Sequence, residues 1–178
     1  YLADDIIFVF DETVSVNGAE LASAHQFATN LITAFDATAQ VYDTAAVDVG
    51  PHVGVISFSK HAVQEFGFTN SSYAKLAIAN MPTAGQTDRS SGTYEDQAHA
   101  CPGNAMKAVL TLLQTSRPLA STLVVFITDS MGSAAGCTEQ ANRMALLQQL
   151  RTTADRILAV GVNKAIFGTS TEVGIDHA

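Results

Sequence analysis

Four runs of bulky apolar residues alternate with segments of helical spacing along the chain. The first, "DIIFVF" (Asp5 to Phe10), is followed by "HVGVISFS" (His52 to Ser59), "TLVVFITD" (Thr122 to Asp129) and "RILAVGV" (Arg156 to Val162). Continuous Ile, Val and Phe runs suit strands buried on both faces, as in parallel sheets. "AVQEFGF" (Ala62 to Phe68) follows the second run after only Lys60 and His61, too short a gap for a parallel crossover, so it predicts an antiparallel partner at the sheet edge. Between the strands, Leu21, Ala24, Ala28, Leu31 and Phe35 form one stripe of a helix from Gly18 to about Val41. "SSYAKLAIANM" predicts a short helix with Ser71 or Ser72 as N-cap. "NAMKAVLTLLQT" predicts another, and "TEQANRMALLQQLRTTA" a last one capped by Thr138. The alternation predicts an α/β fold: a doubly wound, mostly parallel sheet with one antiparallel edge strand and helices on both faces, as a single domain over residues 1–178.

Composition narrows the function. With 47% hydrophobic and 15% charged residues the chain is globular, and a net charge of −8 without a basic stripe argues against a nucleic-acid phosphate backbone as partner. No apolar run reaches the roughly 18 to 20 residues of a membrane-spanning helix. No signal peptide is visible. Two cysteines, Cys101 and Cys137, permit one disulfide without demanding it, and Asn70-Ser71-Ser72 is a glycosylation sequon. These features point to an extracellular or cell-surface location.

The chemistry gathers where strands end. Asp11 closes the first strand and is followed by hydroxyls at every second position, Thr13 and Ser15; Asp129 closes the strand "VVFIT". In an open α/β sheet, neighbouring strands at the switch point share a crevice at their carboxyl ends. Two carboxylates there repel unless something neutralises them, and a hard divalent cation with oxygen ligands does so. Thr13 and Ser15 supply neutral oxygens, leaving residual positive charge for an external carboxylate to complete the coordination. The plainer alternatives are that both aspartates cap turns and that Thr13 and Ser15 merely form one. Asp4 and Asp5, at the amino end of the first strand, are expected to be solvated.

D-x-T-x-S after the first strand, T-D at the end of a later one and a Thr-containing loop between them resemble the von Willebrand factor type A family, over nearly the whole chain. Its metal-ion-dependent adhesion site is written D-x-S-x-S, then Thr, then Asp. The resemblance implies Mg²⁺ (or Ca²⁺ or Mn²⁺) held directly by Thr13 and Ser15, with Asp11 and Asp129 acting through water. It implies Thr93 of "SGTYEDQAHACPGNAMKA" as the third element, with Thr87 of "GQTD" as competitor. The partner it implies is a protein presenting an acidic side chain, or other domains of the same or neighbouring chains. Thr13 stands where the family usually has Ser, and Thr93 lies ten residues before Gly103, an insertion relative to the family. Cys101 and Cys137 are then expected on the metal-bearing rim, where a disulfide would fasten two loops. His99 beside Cys101 lacks the spacing of a structural zinc site. Glu12 and Glu95 lie near the same rim. The family's final helix and sixth strand have little apolar pattern in "NKAIFGTSTEVGIDHA", so the sequence is expected to be an excerpt of a longer chain.

Enzymatic readings fit less well. No motif places a histidine near Ser15 to make a nucleophile–base pair. A haloacid-dehalogenase-like phosphotransferase needs an acid two residues after the first, where Thr13 stands. A receiver domain needs its acid pair at the carboxyl end of the strand, whereas Asp4 and Asp5 lie at the amino end, and "DETVSVNG" is not a nucleotide-binding glycine-rich turn. The remaining alternative is a metal-independent structural tile in an extracellular matrix, filament or surface assembly.

Overall fold

The protein is represented by a computed structural model that describes residues 4–42, 50–83, 100–129, 137, 139 and 142–162, with backbone only for 40–42. In chain order the elements are β1 (Asp4–Asp11), α1 (Gly18–Tyr42), β2 (His52–Phe58), β3 (Ala62–Asn70), α2 (Ser71–Ala79), α3 (Pro102–Leu113), β4 (Ser121–Thr128), α4 (Arg143–Thr153) and β5 (Arg156–Gly161). The strands form one sheet of order β3-β2-β1-β4-β5, parallel throughout except for β3, which runs antiparallel to β2. Among the described residues no helix is long and apolar enough to cross a membrane.

All eight residues of β1 are buried, because helices cover both faces of the sheet. Period-two alternation divides its side chains between two cores. Ile7 and Val9 pack with Ile56, Val124, Met106, Val109 and Leu150, the side of α3 and α4. Ile6, Phe8 and Phe10 pack with Val55, Val125, Ala28, Ile32 and Ile78, the side of α1 and α2. Gly54 in β2 lets α3 pack closely, since a Cβ there would stand 2.7 Å from Leu112 Cδ2 and the leucine would have to shift. α1 starts with a reciprocal cap: Asn17 Oδ1 accepts from the amides of Ala19 and Glu20, while Asn17 N donates to Glu20 Oε2 at 2.9 Å.

Three local expectations are corrected. The N-cap of α2 is Asn70, whose Oδ1 accepts from Tyr73 N at 2.9 Å; the residue before the two serines already occupies the extended cap conformation. α4 begins at Arg143 with Asn142 at its N-cap, since Glu139 and Asn142 still lie in a turn; Thr138 lies outside the described residues. Asp4 and Asp5 are buried, not solvated. Asp5 accepts from Arg117 N at 2.6 Å and from its Nε at 2.7 Å, and Asp4 Oδ1 accepts from Arg156 Nη2 at 2.7 Å. Arg117 also donates to the carbonyls of Asp4 and Gly50, and Arg156 lies over the Phe35 ring at 5.9 Å. The arginines that neutralise these acids come from more than 110 positions away, beyond the reach of any local pattern.

The edge strand β3 departs from regular pairing. Its register against β2 shifts twice, and in the second shift Ile56 pairs with Gln64 but Val55 with Phe66, so Glu65 is an extra residue. The Glu65 carboxylate accepts from the fully buried Ser57 hydroxyl at 2.6 Å.

A disulfide joins Cys101, at the N-cap of α3, to Cys137, with Cα atoms 5.4 Å apart. Around it, Cys101 N donates to Ser59 O, Asn104 Nδ2 to Lys60 O, and Lys107 pairs with Glu139 at 2.6 Å. Gly103 sits so close to this junction that a Cβ would stand 2.8 Å from Glu139 O.

Two stability predictions follow from these contacts. Asp5→Ala removes the carboxylate paired with the mostly buried Arg117 and is expected to lower unfolding free energy by about 3 kcal/mol in urea titrations. Replacing both cysteines by serine releases a loop of 36 residues and is expected to lower it by about 2–4 kcal/mol; an unchanged denaturation midpoint would contradict either expectation.

Candidate functional site

The strand order makes β1 the switch point, with β2 on one side and β4 on the other. Asp11 is the last residue of β1 and Asp129 the first after β4; Phe10 pairs with Ile127, so the two acids emerge at the same end of adjacent parallel strands. Both are buried, at 2% and 4% exposure. The chain then turns, Val16 N donating to Thr13 O at 2.9 Å, and this turn carries Thr13 and Ser15 beside Asp11 before the cap of α1 begins.

The hydrogen bonds around Asp11 have a definite direction. Thr13 N (3.0 Å) and Thr13 Oγ1 (2.7 Å) donate to Oδ1, and Thr128 Oγ1 donates to Oδ2 at 2.5 Å. A hydroxyl has one proton. Thr13 gives its proton to Asp11, so in the 2.9 Å contact between Thr13 Oγ1 and Ser15 Oγ the serine is the donor. The protons therefore run inward, Ser15 to Thr13 to Asp11, which leaves lone pairs free on an exposed serine and a buried threonine. Thr128 was not among the residues singled out from the sequence; its signal was its place directly before Asp129 at the end of a buried strand.

Among the described residues, no positively charged group offsets the Asp11 carboxyl. Burial pushes the Asp11 carboxyl up from 3.8 to about 6, against the lowering effect of the Thr128 and Thr13 hydrogen bonds, and Asp129 adds a smaller push upward. Asp129 Oδ1 is buried with no hydrogen-bond partner among the described residues. A buried carboxylate oxygen without a donor demands an account, and an ion is one. The donor set of carboxylate and hydroxyl oxygens fits a hard cation, though among the described residues no group of three His, Cys, Asp or Glu comes together as a metal site.

Thr93, Thr87, Glu95 and His99 lie outside the described residues. His25 is buried with its ring edge-on to Phe10 at 4.9 Å, in the core and not at the rim. Val14, between the two hydroxyl residues, is exposed at 45%. A cavity of about 410 Å³ lies between the start of α1 and the ends of β4 and β5, with Phe27, Ile127, Val160 and Val162 as apolar lining and Asn17, Glu20 and Ser23 as its polar part.

The profile of the von Willebrand factor type A domain family matches residues 5–173. The chain belongs to that family. Among solved structures, this von Willebrand factor type A domain is similar to proximal thread matrix protein 1 from the mussel byssus, at 20% identity and a TM-score of 0.70, covering 97% of this chain and 40% of the mussel protein. A second structure of that mussel protein, with a zinc-occupied MIDAS motif (the metal-ion-dependent adhesion site), matches at 19% identity and 0.66, covering 93% and 39%. BatB from Bacteroides thetaiotaomicron matches at 15% identity and 0.53, covering 89% and 66%. At these identities the structural likeness speaks for the fold. No curated protein resembles the chain closely enough to count as a relative.

The raised Asp11 carboxyl yields a pH prediction for the domain in chelator. The folded form holds this proton more tightly than the unfolded form, so its contribution to stability falls as pH rises from 3.8 to about 6. Relative to Asp11→Asn, which does not titrate, the native protein is expected to lose about 3 kcal/mol across that window. Parallel stability–pH curves for the two proteins would contradict the assignment.

Proposed function

We propose that this domain is an extracellular, divalent-cation-dependent protein-binding module with its adhesion site at the top of the sheet. Thr13 and Ser15 hold Mg²⁺, or Ca²⁺ or Mn²⁺, directly, Asp11 and Asp129 act through water, and Thr93 completes the set. The observation that carries this reading is the buried Asp129 Oδ1 without a donor beside an Asp11 whose ionisation is disfavoured. A cation at that point supplies charge neutralisation and an electrophilic position for an acidic side chain of a protein partner. The protein's own part is to orient: Thr128 and Thr13 fix both oxygens of Asp11, and the proton chain from Ser15 leaves hydroxyl lone pairs for the ion. The role is binding, without a catalytic step.

A second reading keeps the fold and drops the cation: a structural tile in an extracellular matrix, filament or surface assembly. The likeness to a mussel thread matrix protein favours it. The zinc-occupied motif of that same protein favours the first.

Calorimetric titration with Mg²⁺, Ca²⁺ and Mn²⁺ separates the two. Saturable binding is expected in the native domain, lost in Asp11→Ala and weakened roughly 10- to 100-fold in Thr128→Val, where a group orienting a ligand is removed. No binding of any of the three ions to the folded native domain would leave the tile.

A further inference from the structure

We propose that Asn70 is an N-linked glycosylation site whose glycan stands on the first turn of α2, at the end of the domain remote from the candidate cation site. Asn70 and Ser72 of the sequon Asn70-Ser71-Ser72 are both exposed. The Asn70 side chain divides its two functions. Its Oδ1 is engaged by Tyr73 N, and its Nδ2 donates to none of the described residues. The atom that caps the helix is therefore not the atom that carries a sugar, and a glycosylated Asn70 still caps α2.

The surroundings suit a carbohydrate. Tyr73, 56% exposed, and Leu76, 65% exposed, lie on α2 just beyond the sequon, and the Tyr73 ring is propped edge-on against Phe66 at 6.1 Å. An exposed aromatic ring offers the C–H face of a sugar an apolar platform while the sugar hydroxyls stay in water. The register sets the distance from the rim. Asn70 pairs with His52 at the start of β2, whereas Phe58 at the other end of β2 pairs with Asp11. Six steps of about 3.3 Å along β2 separate the two ends by roughly 20 Å.

The modification needs a lipid-pyrophosphate-linked oligosaccharide and its transferase. Asn70 Nδ2 bonds to the anomeric carbon, the bond from that carbon to the pyrophosphate oxygen breaks, and the amide proton leaves to a base of the transferase. No oxidation or reduction is involved.

The test is secretion of the 178-residue chain from a eukaryotic host, with intact-mass measurement before and after peptide N-glycosidase. One glycan is expected, its removal leaving aspartate at position 70. Ser72→Ala is expected to abolish the mass shift while preserving the Asn70 cap and the melting temperature. An unmodified Asn70 in the secreted chain, beside an occupied sequon on a control protein from the same host, would overturn the proposal. The result is independent of the cation reading: Mg²⁺ titration of the glycosylated and Ser72→Ala proteins is expected to agree, whether or not either binds the ion.

Discussion

The structure turns on a single strand that has water on neither face. β1 hydrogen-bonds to β2 and β4, and its alternating side chains anchor both cores. A strand so enclosed can carry polar groups only at its ends, and each one there needs a partner supplied by some other part of the chain. The two ends of β1 meet that demand differently. At the amino end, Arg117 and Arg156 reach in from distant elements and match Asp5 and Asp4. At the carboxyl end, the donors to Asp11 among the described residues are neutral hydroxyl and amide groups, and Asp129 adds a second carboxylate. Among the described residues, guanidinium groups meet the acids at the amino end and none does so at the carboxyl end, and the proposed cation site rests on that asymmetry.

Much of this was legible in the sequence because it is periodic. Strands buried on both faces leave unbroken apolar runs, and the two-residue gap at Lys60-His61 allowed only an antiparallel partner; β3 is that antiparallel edge. The pairing of Asp11 with Asp129 was legible because topology places strand ends without needing side-chain detail. What escaped was non-local. Nothing near Asp4-Asp5 announces Arg117 or Arg156, so burial of the pair could not be read from the pattern. Thr128 escaped for a different reason: a threonine within a strand is ordinary, and only the 2.5 Å bond to Asp11 marks it. The choice of cap for α2 was off by one residue because Asn70 serves at once as the end of a strand and the start of a helix.

The rim is also braced from behind. The disulfide, the close approach of Gly103 to Glu139 and the Lys107–Glu139 pair tie the start of α3 to the chain that follows Asp129, while Cys101 and Asn104 bond to the β2–β3 turn. Three segments from separate parts of the sequence thus share one covalent and polar junction on the same side of the sheet as Asp11. A site that must hold oxygens in place benefits from such support, since ligand geometry is only as fixed as the shell behind it.

The edge strand bears on what the domain can stick to. β3 bends at two bulges and turns the Glu65 carboxylate inward onto Ser57. Another chain adding itself along this border as a sixth ribbon would meet a kinked, unevenly spaced backbone that a straight strand cannot follow. Pairing between copies through the β3 border is thereby disfavoured, while β5 forms the other border of the described sheet.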